Sequence, residues 1–186
     1  MLALAYGISG FGYIVTATFL PVIARAALPA GSPWLDLFWP IFGAGVIVGA
    51  LLATRARVSG DLRLLLGAAY VVQAVAIAIG LALPSAAGFA AGSFLLGAPF
   101  TAITYFALQE VRRLRPAHVA ATTGLVTAMW SIGQTAGPPM VALLLRRERA
   151  VDAAFTHALA IAAAVLVLGA LIFFASSRLW PRRSLH

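Results

Sequence analysis

GISG, residues 7–10, holds Ser9 in the G-x-S-G setting that surrounds serine nucleophiles, and His157 in the last apolar run is the base such chemistry would need. Depth separates them. With the N-terminus in the cytoplasm, Ser9 lies about 9 Å from the inner membrane edge at about 1.5 Å per residue, and His157 lies close to the outer edge. Roughly 15 Å then divides two groups that must approach to about 3 Å, so an intramembrane serine protease is only a third reading. Ser9 fits a second pattern better. Tyr6, Ser9, Tyr13 and Thr16 recur at spacings of three, four and three, which puts four polar groups on one helix face. Lipid would not select that face, so it is expected to look into a bundle or an aqueous cavity.

Two later stretches are similar. Thr101, Thr104 and Tyr105 follow Pro99, which is expected to interrupt its helix near mid-depth, and Glu110 beside Arg112 and Arg113 is expected to be an ionised surface carboxylate. Thr123, Thr127, Trp130, Ser131 and Gln134 lie on or near one face, ahead of GQTAGPP at 133–139. Gly133 and Gly137 form a small-xxx-small contact surface, and Pro138 and Pro139 are expected to break or bend the helix. Gln73 is expected to hold helices together, and His157 to sit beside Asp152 at the interface. No metal-ligand cluster, phosphate-binding loop or dinucleotide fingerprint is present, so no cofactor, metal or catalytic residue is expected.

The elements that must position these groups are transmembrane helices. Of the 186 residues, 62% are hydrophobic and 10% charged. Apolar runs long enough to cross about 30 Å of hydrocarbon fall near 3–25, 34–54, 62–83, 86–109, 119–145 and 154–177. The expected fold is all-α, a polytopic bundle of six transmembrane helices forming one domain over 1–186. A β-barrel is disfavoured, because the runs lack period-two alternation. With no cysteine, disulfides and thiolate metal sites are excluded. Trp34, Trp39 and Trp180 fall where interfacial anchors belong.

The net charge of +8 comes from thirteen basic residues, all arginine, placed at segment ends. That distribution reads as membrane topology rather than nucleic-acid binding. Arg55, Arg57, Arg63, Arg112, Arg113, Arg115, Arg178, Arg182 and Arg183 fall on one side, against Arg25, Arg146, Arg147 and Arg149 on the other. The positive-inside rule then places both termini in the cytoplasm. Arginine without lysine is what GC-rich bacterial coding would give. The abrupt apolar start at Met1 is expected of an internal start or the cut end of a longer chain.

AYGISGFGYIVTATFLPVIAR in the first helix, the glycine- and threonine-rich fourth helix ending in RRLRP, and GQTAGPP in the fifth together resemble the second half of a major facilitator superfamily transporter of the YbfB/YjiJ type. The resemblance implies twelve helices in two halves, with these six as the C-terminal half and the first half missing from this chain. It departs from the superfamily pattern at GALLATRARVSGD, where Gly49, Arg55 and Arg57 match but Ala53 stands in place of an aspartate. It also implies that the first helix of each triplet lines the central cavity. Tyr6, Ser9, Tyr13 and Thr16 would then face Thr101, Thr104 and Tyr105, with Thr127 and Gln134 contributed by helix five. Neutral hydroxyls and rings at that depth suit a small, partly polar or amphipathic solute. The expected function is secondary active transport across the bacterial inner membrane by alternating access. The expected partners are the bilayer, the solute, and a missing N-terminal half or a second copy. The alternative is a truncated or non-transporting membrane subunit.

Overall fold

The computed structural model describes residues 1–29, 31–56, 60–148 and 150–180. Arg57, Arg149, Arg182 and Arg183 of the charge pattern lie outside the described residues. The fold is all-helical: α1 (Leu2–Ala27), α2 (Phe38–Arg55), α3 (Leu62–Ala82), α4 (Ala86–Leu114), α5 (Val119–Arg147) and α6 (Val151–Leu179). Short polar connections set the ends. Asp61 caps α3 by accepting from the Arg63 backbone N–H, and Ser85 caps α4 by accepting from Gly88 N–H. Prolines 33 and 116 open single 3-10 turns ahead of α2 and α5. Trp34, Trp39 and Trp180 are exposed at helix ends.

Two expectations about helix character change. Among the described residues five helices are long and apolar enough to cross a membrane by length and composition alone, and α5 is not among them. It has the length, 29 residues, but its threonines, serines, glycines, prolines and Gln134 lower its hydropathy. The prolines do not break their helices either: α4 continues through Pro99 and α5 through Pro138 and Pro139. Each proline removes one donor from a turn whose neighbours keep their bonds.

The helices pair through glycine. α1 packs along α5, and α2 along α4. A Cβ on Gly133 would strike the carbonyl oxygen of Gly7 and come within 3.0 Å of Phe11 N; one on Gly45 would strike the oxygen of Phe94 and come within 3.1 Å of Ala98 N. Gly10 lies against Trp130 O as Gly97 lies against Phe42 O. These contacts share one register. Positions 7, 10 and 11 of α1 correspond to 94, 97 and 98 of α4, an offset of 87 (94 minus 7), and positions 130 and 133 of α5 correspond to 42 and 45 of α2, an offset of 88 (133 minus 45). Two further contacts obey the same exchange, α1 on α6 matching α4 on α3 and α3 on α6 matching itself, whereas α5 also packs on α6 without an equal α2–α3 contact. Because α1 and α4 run in opposite directions, the bundle is an inverted repeat of two three-helix units.

α3 and α6 supply much of the apolar core, including Leu66, Ile77, Leu159, Leu166 and Phe173, with the Tyr70 hydroxyl donating to Ala5 O at 2.6 Å. At the end holding the N-terminus of α3, Arg63 is 7% exposed and its guanidinium pairs with Asp61 at 2.7 Å. It also donates to the carbonyls of Ser176 and Trp180 at the close of α6, at 2.7 and 2.9 Å. Glu110 is 2% exposed and acts electrostatically on Arg63, which corrects its expected place on the surface. The reason is its helical position: it continues the buried Ile103, Phe106 and Ala107 side of α4, while Arg112 and Arg113 point out.

Candidate substrate-cavity face

The Tyr6 hydroxyl lies 2.9 Å from Thr104 Oγ1, joining α1 to α4 across 98 positions of sequence. Two turns farther along α1, the Tyr13 ring sits 4.6 Å from Phe100 of α4. Phe42 of α2 and Trp130 of α5 close the group. Tyr13 is 6.1 Å from each, and Phe100 is 5.9 Å from Phe42 and 6.0 Å from Trp130, all between ring centroids. The near-equality follows from the repeat, because Tyr13 corresponds to Phe100 and Trp130 to Phe42. The pseudo-two-fold axis therefore passes between Tyr13 and Phe100. Tyr13 is about 17 Å into a helix about 39 Å long, which places the cluster near the middle of α1.

The four polar residues of α1 do not act as one stripe. Tyr6 and Tyr13 turn toward α4 and α5. Ser9 and Thr16 are fully buried, Ser9 donating to Gln73 Oε1 at 3.3 Å and Thr16 to Gly12 O at 2.8 Å. Spacings of three, four and three spread side chains over an arc of about 80°, enough for a packed helix to divide them between two neighbours. Gln73 thus ties α3 to α1. On α4, Thr101 and Tyr105 are half-buried and lie one position round from Phe100 and Thr104, with the Tyr105 ring 5.5 Å from Phe106. On α5, Thr127 is exposed and Gln134 half-buried, each one turn from Trp130. Ser9 and His157 have separate partners: His157 Nδ1 is 2.9 Å from Glu148 Oε1, not beside Asp152 as expected, and no nucleophile–base pair forms between them.

Trp130 shares the expected Thr127 and Gln134 face, whereas hydroxyl spacing does not select Phe42 and Phe100. The available signal is the position of Phe100 and Trp130 one helical turn from Thr104 and Gln134. The face is uncharged. Its rings offer polarisable surfaces with negative quadrupole faces, and Tyr13, Thr104 and Gln134 offer neutral donors and acceptors. Such a surface offers stacking faces and neutral hydrogen-bonding groups to a small solute. A separate groove of about 350 Å³, lined by apolar residues including Ile8, Phe11, Ile132 and Val165, lies on the other flank of the α1–α5 contact. Among the described residues no group of three or more His, Cys, Asp or Glu is arranged to hold a metal.

The family model described as uncharacterised MFS-type transporter YbfB matches residues 1–174. The chain belongs to this family of MFS-type transporters. No curated protein and no solved structure matches it. As an MFS-type transporter chain it is a multi-pass membrane protein with a transport function, and the inverted repeat and the ring cluster at mid-helix are features of its own fold.

Proposed function

We propose that this chain is the C-terminal six-helix half of a secondary transporter. It moves a small, partly polar or amphipathic solute across the bacterial inner membrane by alternating access, with both termini cytoplasmic. The observation that carries this reading is the uncharged Tyr13–Phe100–Phe42–Trp130 cluster on the pseudo-two-fold axis at mid-helix, flanked by the Tyr6–Thr104 bridge. Interrupted or paired helices of inverted repeats meet their substrates near the bilayer midplane. Of the nine residues expected to line the cavity, Tyr6, Tyr13 and Thr104 belong to this face with Thr101, Tyr105, Thr127 and Gln134 at its margin. Ser9 and Thr16 support it from behind. Arg25, exposed at the far end of α1, is too remote to hold a carboxylate there.

Replacing Tyr13 or Trp130 by leucine removes a ring face on which the solute would pack, and with ring contacts worth about 0.5–1.5 kcal/mol, solute affinity is expected to fall by about two- to tenfold. Counterflow of a panel of radiolabelled small solutes in proteoliposomes, with this chain alone and with a coexpressed N-terminal half, tests the reading. Flux only with both halves, weakened by both leucine variants, supports it; flux unchanged by either variant sinks the site.

A second reading, a non-transporting membrane subunit, has one observation in its favour. Exposed Ser131 and Thr135 on α5 donate to their own helix, to Thr127 O at 3.2 Å and Ser131 O at 2.8 Å. Hydroxyls satisfied in this way tolerate lipid. Absence of flux with every partner half would favour it.

A further inference from the structure

The repeat holds in the glycine contacts of α1 with α5 and α2 with α4 and in the ring cluster, which brings out the places where its side chains differ. The Tyr6–Thr104 bridge is the clearest. By the register of the two units, Tyr6 corresponds to Ser93 (6 plus 87) and Thr104 to Ala17 (104 minus 87). Ser93 donates to its own helix at Phe89 O, 2.6 Å away, and Ala17 has no polar side chain. The matching position toward the other end of α1 and α4 therefore cannot hold a polar bridge. There the neighbouring contact is apolar: Leu20 of α1 lies beside Gly92 of α4 and Gly80 of α3.

We infer that the Tyr6–Thr104 hydrogen bond is a one-ended latch between the two inverted units, pinning α1 to α4 at the end that carries the chain's N-terminus and leaving the opposite end held by non-directional contacts. Exchange between two related arrangements is the motion inverted repeats permit, and a bond present at one end biases that exchange. A bond of this kind inside a membrane is worth about a three- to thirtyfold shift in population. The latch also adjoins the proposed solute surface. The Tyr6 ring lies 4.7 Å from Trp130, which is 6.1 Å from Tyr13 and 6.0 Å from Phe100, so a solute displacing Trp130 displaces Tyr6. This last link rests on the transporter reading; the latch itself does not.

The chain has no cysteine, so spin labels can be placed without background. Leu4 and Arg112 are exposed on α1 and α4 at the latched end, and Ala91 and Arg25 are their counterparts by the same offset of 87 at the other end, also exposed. Double electron–electron resonance on the full chain in nanodiscs would compare the pair L4C/R112C with the pair R25C/A91C. The expected result is a narrow distribution at the first pair and a broader one at the second. Tyr6→Phe and, separately, the near-isosteric Thr104→Val are expected to broaden the first pair to the width of the second and leave the second unchanged. An unchanged first pair in both variants, or a parent protein in which the second pair is the narrower, overturns the latch. Neither outcome depends on solute flux, so loss of the transport reading and loss of the latch are separate results.

Discussion

Gly49→Leu is expected to destabilise the folded bundle by about 3 kcal/mol or more, the largest single effect among its glycines. A Cβ at position 49 would fall on the carbonyl oxygen of Ala98, with the Ala98 carbonyl carbon and Cα also too close, and backbone cannot yield as a side-chain tip can. α2 would have to leave α4, opening the same contact that positions Phe42 against Phe100 at 5.9 Å. Small residues let membrane helices approach, and overpacking such a contact costs at least as much as an overfilled core. Gly43→Ala and Gly124→Ala are the contrasting cases. Nothing lies within 4 Å of a Cβ at either position, so alanine is expected to stabilise by about 0.5–1 kcal/mol through helix propensity. Thermal unfolding in detergent, followed by intrinsic fluorescence of the four tryptophans, measures all three. A Tm for the leucine variant equal to the parent's would show that the α2–α4 crossing is not as close as described.

Arg63→Met is expected to cost about 3–5 kcal/mol. Its guanidinium neutralises Asp61 at 2.7 Å, acts on the nearly inaccessible Glu110, and satisfies two carbonyls that α6 leaves open at its end. Removing the guanidinium takes the cation from beside Asp61 and the buried Glu110 and the donors from two carbonyls, and breaking such a pair costs more than the pair gains by forming. The double change Arg63→Met with Asp61→Asn is expected to recover part of the loss, though not the contacts to Ser176 O and Trp180 O. Unfolding in the same detergent, with proteolysis after Trp180 as a report on the α6 terminus, separates the charge effect from the lost cap. Equal stability of the single and double variants would mean that Asp61 does not feel the missing charge.

Much of the fold is legible in the sequence because apolar runs of about 20 residues admit few structures in a bilayer. The repeat is legible only faintly. Its register rests on Gly10 with Gly97 and Gly133 with Gly45, while the functional equivalents differ in type, Tyr13 with Phe100 and Trp130 with Phe42. Composition could liken helices one and four but could not align them. Glu110 reads as a surface group because arginines follow it, yet its position on the Phe106 and Ala107 side of α4 buries it against α3. Ser9 and Thr16 share a spacing pattern with Tyr6 and Tyr13, but the short side chains bond inward while the long ones reach α4 and α5. Which side of an 80° arc meets a neighbour is a property of packing, and spacing does not contain it.

Whether the α1, α4 and α5 face lines an aqueous cavity is open to direct measurement in native membranes, because single cysteines enter a cysteine-free chain. Gln134→Cys and Thr101→Cys on that face, and Leu168→Cys on the outer side of α6 as control, would be treated with a membrane-impermeant maleimide from either side. Labelling of residues 134 and 101, with residue 168 unreactive, is the outcome expected of a transporter whose solute path passes this cluster. Failure of both face positions to label above the residue 168 control would contradict it.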